Sequence, residues 1–313
     1  MTSGVLTVQA TLKSKVTFKG VGLHSGEQVT MTVNPASARY GIWFRRTDVL
    51  DRDGLIPAIY TAVQEKPLCT RIMNEDGVEV STIEHVMAAL AGCGIHNALI
   101  EIDGPEVPIL DGCAASFVRA FVARGLRHQD VPQYALEILK PVSVEEGGAT
   151  ATLSPADTLE IDFRISFEDR AIGTQSKALV MENGTFVREL SDSRTFCRKA
   201  DIDMMHAQGL ALGGTYENAV VIDGDAVVSP GGLRHRDEAV RHKMLDALGD
   251  LALAGAPILG RYTGVRAGHA MTNRLLHKLF ATPDAYRVVT CSPEQLSRLP
   301  GVGVRRADLA LVA

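Results

Sequence analysis

The stretch Val240-Arg241-His242-Lys243-Met244-Leu245-Asp246-Ala247-Leu248-Gly249-Asp250-Leu251 organises the reading of this chain. Val240, Met244, Leu245, Leu248, Leu251 and the following Ala252 recur at helical spacing and predict a long helix over about 238–254. His242 and Asp246 stand four residues apart, so on that helix they lie one above the other, nearly opposite the apolar stripe. Such a pair suits a surface hydrogen bond on a solvated face as well as it suits two ligands of one metal ion. Gly249 shares the face. A glycine inside a helix costs about 1 kcal/mol against alanine, which makes sense where something must approach closely. Asp250 follows Asp246 by one turn and is placed to orient another side chain.

A second cluster, Thr82-Ile83-Glu84-His85, precedes a run of Val86, Met87 and Leu90 that is closed by Gly92 and Gly94. Ser81-Thr82-Ile83-Glu84 fits a capping box, which places His85 in the first turn of a helix and gives Glu84 an ordinary task at the helix start. The same cluster also offers a third metal ligand, His85, and a neighbouring base, Glu84. A catalytic zinc site takes three protein ligands of imidazole or carboxylate type and leaves the fourth position to water. Spacing cannot join position 85 to position 242, and the H-E-x-x-H signature of many zinc proteases is absent.

Around these helices the chain reads as strands. Val16-Thr17-Phe18, Gln28 to Val33, Ile42-Trp43-Phe44 and Asn97 to Ile102 fall in the first half, with a further helix over Ala114 to Ala123. Gln129-Asp130-Val131-Pro132-Gln133 resembles a linker. Strands return at Leu136 to Leu139, Ala149 to Leu153 and Leu159 to Phe167, before the helix near 238–254 and another over 270–280. β-then-α order in both halves predicts an α+β protein of two similar domains, 1–130 and 131–313. The 313 residues, 46% of them apolar, suffice for two moderate cores.

A net charge of −5 with acidic and basic residues interspersed leaves no basic stripe, so nucleic acid is not an expected partner. Met1 to Phe18 alternates polar with apolar residues, which predicts neither a signal peptide nor a membrane span and points to the cytoplasm. Five cysteines without C-x-x-C pairing argue against both a disulfide framework and a thiolate metal site. Gly20-Val21-Gly22-Leu23-His24-Ser25-Gly26 has G-x-G-x-x-x-G spacing and no amphipathic helix behind it, so it reads as a tight turn. No G-x-S-x-G elbow supports a serine triad. Gly209-Leu210-Ala211-Leu212-Gly213-Gly214, before an expected strand over Tyr216 to Ile222, reads as a turn and core strand or as the lining of something apolar.

Taken in order, the Gly20–Gly26 block, Ser81–His85, Pro105-Glu106-Val107-Pro108-Ile109-Leu110-Asp111-Gly112, Ser193-Arg194-Thr195-Phe196, Val240–Leu251 and Gly268-His269-Ala270 resemble the UDP-3-O-acyl-N-acetylglucosamine deacetylases, zinc amidases of lipid A biosynthesis. The resemblance spans about residues 5–290. It implies two α+β domains in a sheet–helices–sheet sandwich, each with a small insert, the second near 194–221 forming an acyl channel. It implies Zn²⁺ on His85, His242 and Asp246, Glu84 as general base, and His269 as general acid oriented by Asp250. Lys243 and Thr195 would stabilise the oxyanion, with Lys243 also contacting substrate. Phe196, Ile202, Leu210 and Ala211 would line the acyl channel, Phe167 would stack on the nucleotide, and Leu23 would touch substrate. A monomer acting on a UDP-acyl-sugar, with no stable membrane insertion, is the expected form. Asp169-Arg170 stands where relatives carry His-Pro, and Cys197 where they carry Gly. A zinc amidase for another acylated amino sugar and a non-catalytic acyl-nucleotide binder are the other readings.

Overall fold

The computed structural model describes residues 8–311; the beginning of the Met1–Phe18 alternation and the last two residues lie outside the described residues. The described residues form a mixed architecture of several sheets and seven α-helices: α1 (Glu84–Gly92), α2 (Ala115–Arg124), α3 (Thr185–Glu189), α4 (Lys199–Ala207), α5 (Glu238–Leu251), α6 (His269–Phe280) and α7 (Pro293–Ser297). None of them is long and apolar enough to cross a membrane.

In the first half a five-stranded sheet runs in the order Val16–Val21, Gln28–Pro35, Ala98–Ile102, Ile42–Arg46, Leu55–Pro57. Alternation sets its inner face, since Val29, Met31 and Val33 are buried while the threonines between them are half-buried on the other side. Met31 stands opposite Ile102 in antiparallel register, and Phe44 stands beside Ile100 in parallel register. Parallel neighbours need a crossover, and α1 lies in it. The second half repeats the plan. Leu159–Ser166 runs parallel to Ile258–Val265, with Ile161 beside Tyr262, and α5 lies in that crossover. The sheet is completed by Val142–Glu146, Ala149–Ser154, Tyr134–Ile138, Tyr286–Thr290 and Thr174–Val180. After each crossover comes one more helix, α2 packed on Val16–Val21 and α6 packed on Val142–Glu146 and Ala149–Ser154.

α1 and α5 pack directly against each other. Gly249 permits this, because a Cβ built there would overlap the Glu84 carbonyl oxygen and lie 3.1 Å from the Ala88 nitrogen. The close approach expected on that face is the backbone of α1. It also removes the solvated-face reading: His242, Asp246 and Asp250 are all buried, together with nearly every other residue of α5.

Three sequence expectations are corrected. The segment Gln129 to Gln133 is not a linker, because Leu126–Pro132 is a strand antiparallel to Val8–Leu12, with Leu126 opposite Leu12 and Pro132 opposite Val8. Arg127, His128 and Asp130 face out of a two-stranded ribbon while Gln129 bonds inward to Asn97 and Ala36, and Pro132 ends the strand. The capping box is not formed. Ser81 ends the strand Glu79–Ser81, Thr82 takes φ 57°, and the helix begins at Glu84, which makes Glu84 the first helical residue instead of the third. The strand expected from Tyr216 begins only at Val220 and runs parallel to Phe196–Arg198, with α4 between them. Phe196–Arg198, α4 and Val220–Asp223 therefore form a small β-α-β unit across the expected insert.

Replacing Gly249 with Ala is expected to lower unfolding free energy by about 1–3 kcal/mol, the usual cost of overpacking a tight contact. Gly268→Ala, where a Cβ meets nothing within 4 Å, serves as the control and should stay within about 1 kcal/mol of the parent in the same urea titration.

Candidate metal centre

Two elements supply three candidate ligands. α1 contributes His85 from its first turn and α5 contributes His242 and Asp246, and one donor atom from each lies within 4.8 Å of the others. Asp246 Oδ1 is 3.3 Å from His242 Nε2 and 3.6 Å from His85 Nε2. It is also a buried carboxylate oxygen with no hydrogen-bond partner. Such an atom is costly to bury unless a cation completes it. His242 Nδ1 bonds the Ser193 carbonyl oxygen at 3.0 Å, which makes Nδ1 the protonated nitrogen of the neutral ring and leaves the Nε2 lone pair facing Asp246. Burial pushes the His242 imidazole down to about 4, so the ring is neutral and able to ligate. Burial opposes the charge of Asp246, yet His242 and the Lys243 ammonium hold its carboxyl well below the usual carboxylate range. Two imidazoles and a carboxylate form a donor set that suits a divalent transition ion. The residues present fit such an ion.

Acid–base groups stand beside the ligands. Glu84 Oε1 is 3.9 Å from His269 Nε2, and Asp246 Oδ2 is also 3.9 Å from it. Both gaps exceed a hydrogen bond. The other nitrogen of His269 bonds Asp250 Oδ2 at 2.8 Å. Burial works against the imidazolium of His269, but Asp250 outweighs it and, with Glu84, lifts the ring to about 9. Burial pushes the Glu84 carboxyl above its usual range, against the pull of His269 and His85. The pair is thus tuned in the sense that acid–base chemistry needs, a carboxylate more basic than usual facing an imidazole that keeps its proton. Lys243 Nζ bonds Asp246 Oδ2 at 2.8 Å. Burial disfavours its charge, and the pairing with Asp246 raises its pKa nonetheless.

Sequence reasoning missed Thr70. Its N–H donates to Glu84 Oε2 at 3.0 Å and its hydroxyl to Asp250 Oδ1 at 2.5 Å, so one residue locks both carboxylates at their rear oxygens. It lies 180 positions from Asp250, and no local pattern marks it. Ser193 was named only within a block, and its carbonyl role has no side-chain signature.

The remaining expected site residues form the surroundings. The Phe196 ring lies 6.3 Å from that of His242 and meets Phe167 edge-on at 5.5 Å. Thr195 precedes it, half-buried, with its N–H on the Gly112 carbonyl at 2.8 Å and no hydroxyl bond to the ligands among the described residues. Ile202 is half-buried on α4, and Leu210 is buried at the end of the loop after it. Ala211 donates its N–H to His24 Nδ1 at 3.3 Å, and Gly213 donates to the Leu23 carbonyl at 3.0 Å. The 20–26 and 209–214 loops are therefore strapped together, which places Leu23 beside the expected acyl-channel residues. The tight turn at Gly20–Gly26 does wrap an anion, but the anion is the protein's own. Glu106 accepts the N–H groups of His24 and Ser25 at 2.9 and 2.7 Å, and the Thr82 hydroxyl at 2.6 Å.

The expected departures at Asp169-Arg170 and Cys197 lie on segments joined by one ion pair. Asp169 forms a 2.8 Å ion pair with Arg198, the neighbour of Cys197, and so ties the turn after Phe167 to the strand that carries Phe196. Arg170 reaches outward to Asp225 at 3.5 Å on the surface. The five cysteines are free, and all but Cys197 are buried.

Comparison with known proteins gives one answer. The family described as UDP-3-O-acyl N-acetylglycosamine deacetylase matches residues 9–281. A UDP-3-O-acyl-N-acetylglucosamine deacetylase of Phenylobacterium zucineum is 49% identical over 90% of this chain and 96% of its own. Proteins of the same name from Shewanella halifaxensis and Shewanella violacea are 44% and 45% identical over 91% and 92% of this chain, and 94% of each of theirs. With a match that reaches across both crossover helices and every candidate ligand, the chain belongs to the UDP-3-O-acyl N-acetylglycosamine deacetylase family.

Proposed function

We propose that this protein hydrolyses the acetamide of a UDP-3-O-(3-hydroxyacyl)-N-acetylglucosamine, adding water across the C–N bond to release acetate and the 2-amino sugar nucleotide, the committed step of lipid A biosynthesis. The observation that carries the reading is the convergence of a buried His85, His242, Asp246 triad with Glu84 and His269, in a chain of this family. Zn²⁺ held by the triad would polarise the amide carbonyl and make a bound water acidic enough to attack near neutral pH.

The side chains perform the proton traffic. Glu84, raised by burial and held at its rear oxygen by Thr70, takes a proton from the attacking water with Oε1. His269 keeps its proton at neutral pH and delivers it from Nε2 to the departing nitrogen, which leaves poorly as an unprotonated amide anion. Asp250 acts through His269, fixing its orientation and holding the proton count. Lys243 and Thr195 face the negative charge that grows on the carbonyl oxygen, each such donor typically being worth on the order of 10² to 10³ in rate. Phe167 stacks on the nucleotide, and the acyl chain runs along Phe196, Ile202, Leu210 and Ala211 with Leu23 on the opposing loop. The straps between the 20–26 and 209–214 loops support that path. In this reading the chain is a cytoplasmic monomer of two domains, 1–130 and 131–313, layered sheet–helices–sheet. The repeated strand–helix–parallel strand plan and the packing of α1 on α5 support that layering.

Purified protein should carry about one equivalent of zinc and release acetate from the acylated sugar nucleotide, with activity lost to a chelator and restored by zinc. Full turnover by metal-free protein would overturn the reading. Asp246→Asn is expected to lose most of the bound metal. Glu84→Gln should keep the metal and lower kcat by about 10² to 10⁴ with KM little changed, as loss of a general base does; unchanged turnover would instead remove Glu84 from the chemistry. The pH profile should be a bell. Activity falls on the acid side as Glu84, above its usual range, takes up a proton, and on the alkaline side as His269 loses one at or below about 9, since a bound cation favours the deprotonated form. His269→Gln should lower kcat and abolish the alkaline limb.

A further inference from the structure

The helices that carry the candidate metal ligands also wall a cavity of about 330 Å³, which shares no residue with the site described above. That volume falls within the range of small-molecule sites, roughly 300–1,000 Å³. Met87 and Leu90 of α1 and Leu248 and Leu251 of α5 line it, and at 100° per residue these positions lie on the opposite helix faces from His85 and from His242 and Asp246. Trp43 and Ile95 close the apolar side. The polar side is a short, ordered set. Gln9 accepts the Arg39 N–H at 2.8 Å and the Asn97 amide at 3.0 Å, while Asn97 accepts the Gly41 N–H at 2.8 Å, which holds the 39–41 turn at the rim.

Two features of this cavity specify chemistry. Among the described residues that line it, Arg39 is the one with a permanent charge and none is a carboxylate. Gln133 is buried, 4% exposed, and its amide donates to the Tyr134 carbonyl at 2.7 Å while its Oε1 has no donor. A buried acceptor without a donor is costly, and a ligand hydroxyl would complete it. An apolar body, one negative charge for a guanidinium and one hydroxyl for an amide oxygen describe a hydroxy fatty acid. We propose that this cavity binds a medium-chain hydroxy fatty acid, its carboxylate at Arg39, its hydroxyl toward Gln133 and its chain between α1, α5 and Trp43.

Trp43 is the only tryptophan of the chain, so the cavity carries its own reporter. Titrating the zinc-loaded protein with 3-hydroxydodecanoate below its micelle concentration should give a saturable change in tryptophan emission. Dodecanoate should bind several-fold more weakly, and dodecanol at least tenfold more weakly. Arg39→Gln, on an exposed turn, should weaken 3-hydroxydodecanoate about tenfold and leave dodecanol unchanged. Ala252→Phe, which fills the apolar side, should abolish the emission change while deacetylation of the sugar nucleotide persists; this separates the cavity from any fatty acid lodged in the acyl channel. The proposal is overturned if the parent shows no saturable change, if Arg39→Gln binds both probes as the parent does, or if an active Ala252→Phe protein responds undiminished. Equal affinity for the hydroxylated and plain acids would overturn the assignment of Gln133.

Discussion

One contact organises this protein: the crossing of α1 and α5 at Gly249, where helix backbone meets helix backbone. His85 and Glu84 belong to one crossover and His242, Asp246 and Asp250 to the other, so the distance between the crossovers sets the distance between ligands. A methyl group at 249 would stand in the Glu84 carbonyl. Ligands on a rigid helix pair are held more closely than ligands on loops, and a metal donor set tolerates displacements of only tenths of an ångström.

The charge count follows from that crossing. Glu84, Asp246 and Asp250 bring three carboxylates into one buried region, and Lys243 and the protonated His269 return two positive charges. One negative charge remains. A divalent ion would turn the region positive by one, the sign that favours a carbonyl oxygen gaining negative charge. Buried charges persist only when paired or hydrogen-bonded, and each rear oxygen here has a partner: Thr70 for Glu84 and Asp250, Lys243 for Asp246. Asp246 Oδ1 stands apart as the oxygen left for a cation.

The same logic governs the rim. A glycine-punctuated turn that resembles a phosphate cradle closes instead on Glu106, which also takes the Thr82 hydroxyl just before α1. Through that one carboxylate the rim loop and the start of the ligand helix share an anchor. Asp169 and Arg198 make a comparable tie on the other side, between Phe167 and Phe196. The 20–26 and 209–214 loops and the strand that carries Phe196 are thus fastened near the elements that carry the candidate ligands, and their spacing to that centre is set by polar bonds.

Periodicity and glycine placement sufficed for the main strands of the two large sheets, for α5 and α6, for the return of strands and then helices in the second half, and for the His242–Asp246 pair on one helix face, because these depend on neighbours within one or two turns. The ordered blocks joined His85 and His269 to the α5 pair as candidates, and Gly249 announced a close approach without saying to what. Local reading failed where a competing interaction came from afar. The polar 129–133 segment was paired by a strand more than a hundred residues earlier, and Glu84 was drawn from a cap position to the Thr70 N–H. What the sequence determined by itself was the kind of chemistry available: imidazoles, carboxylates and a lysine at helical spacing. Only the tertiary structure decided which of them meet, because burial between two crossover helices neutralises His242 and raises Glu84 while the Asp250 carboxylate, against that same burial, keeps the proton on His269, and none of those shifts exists until the helices cross.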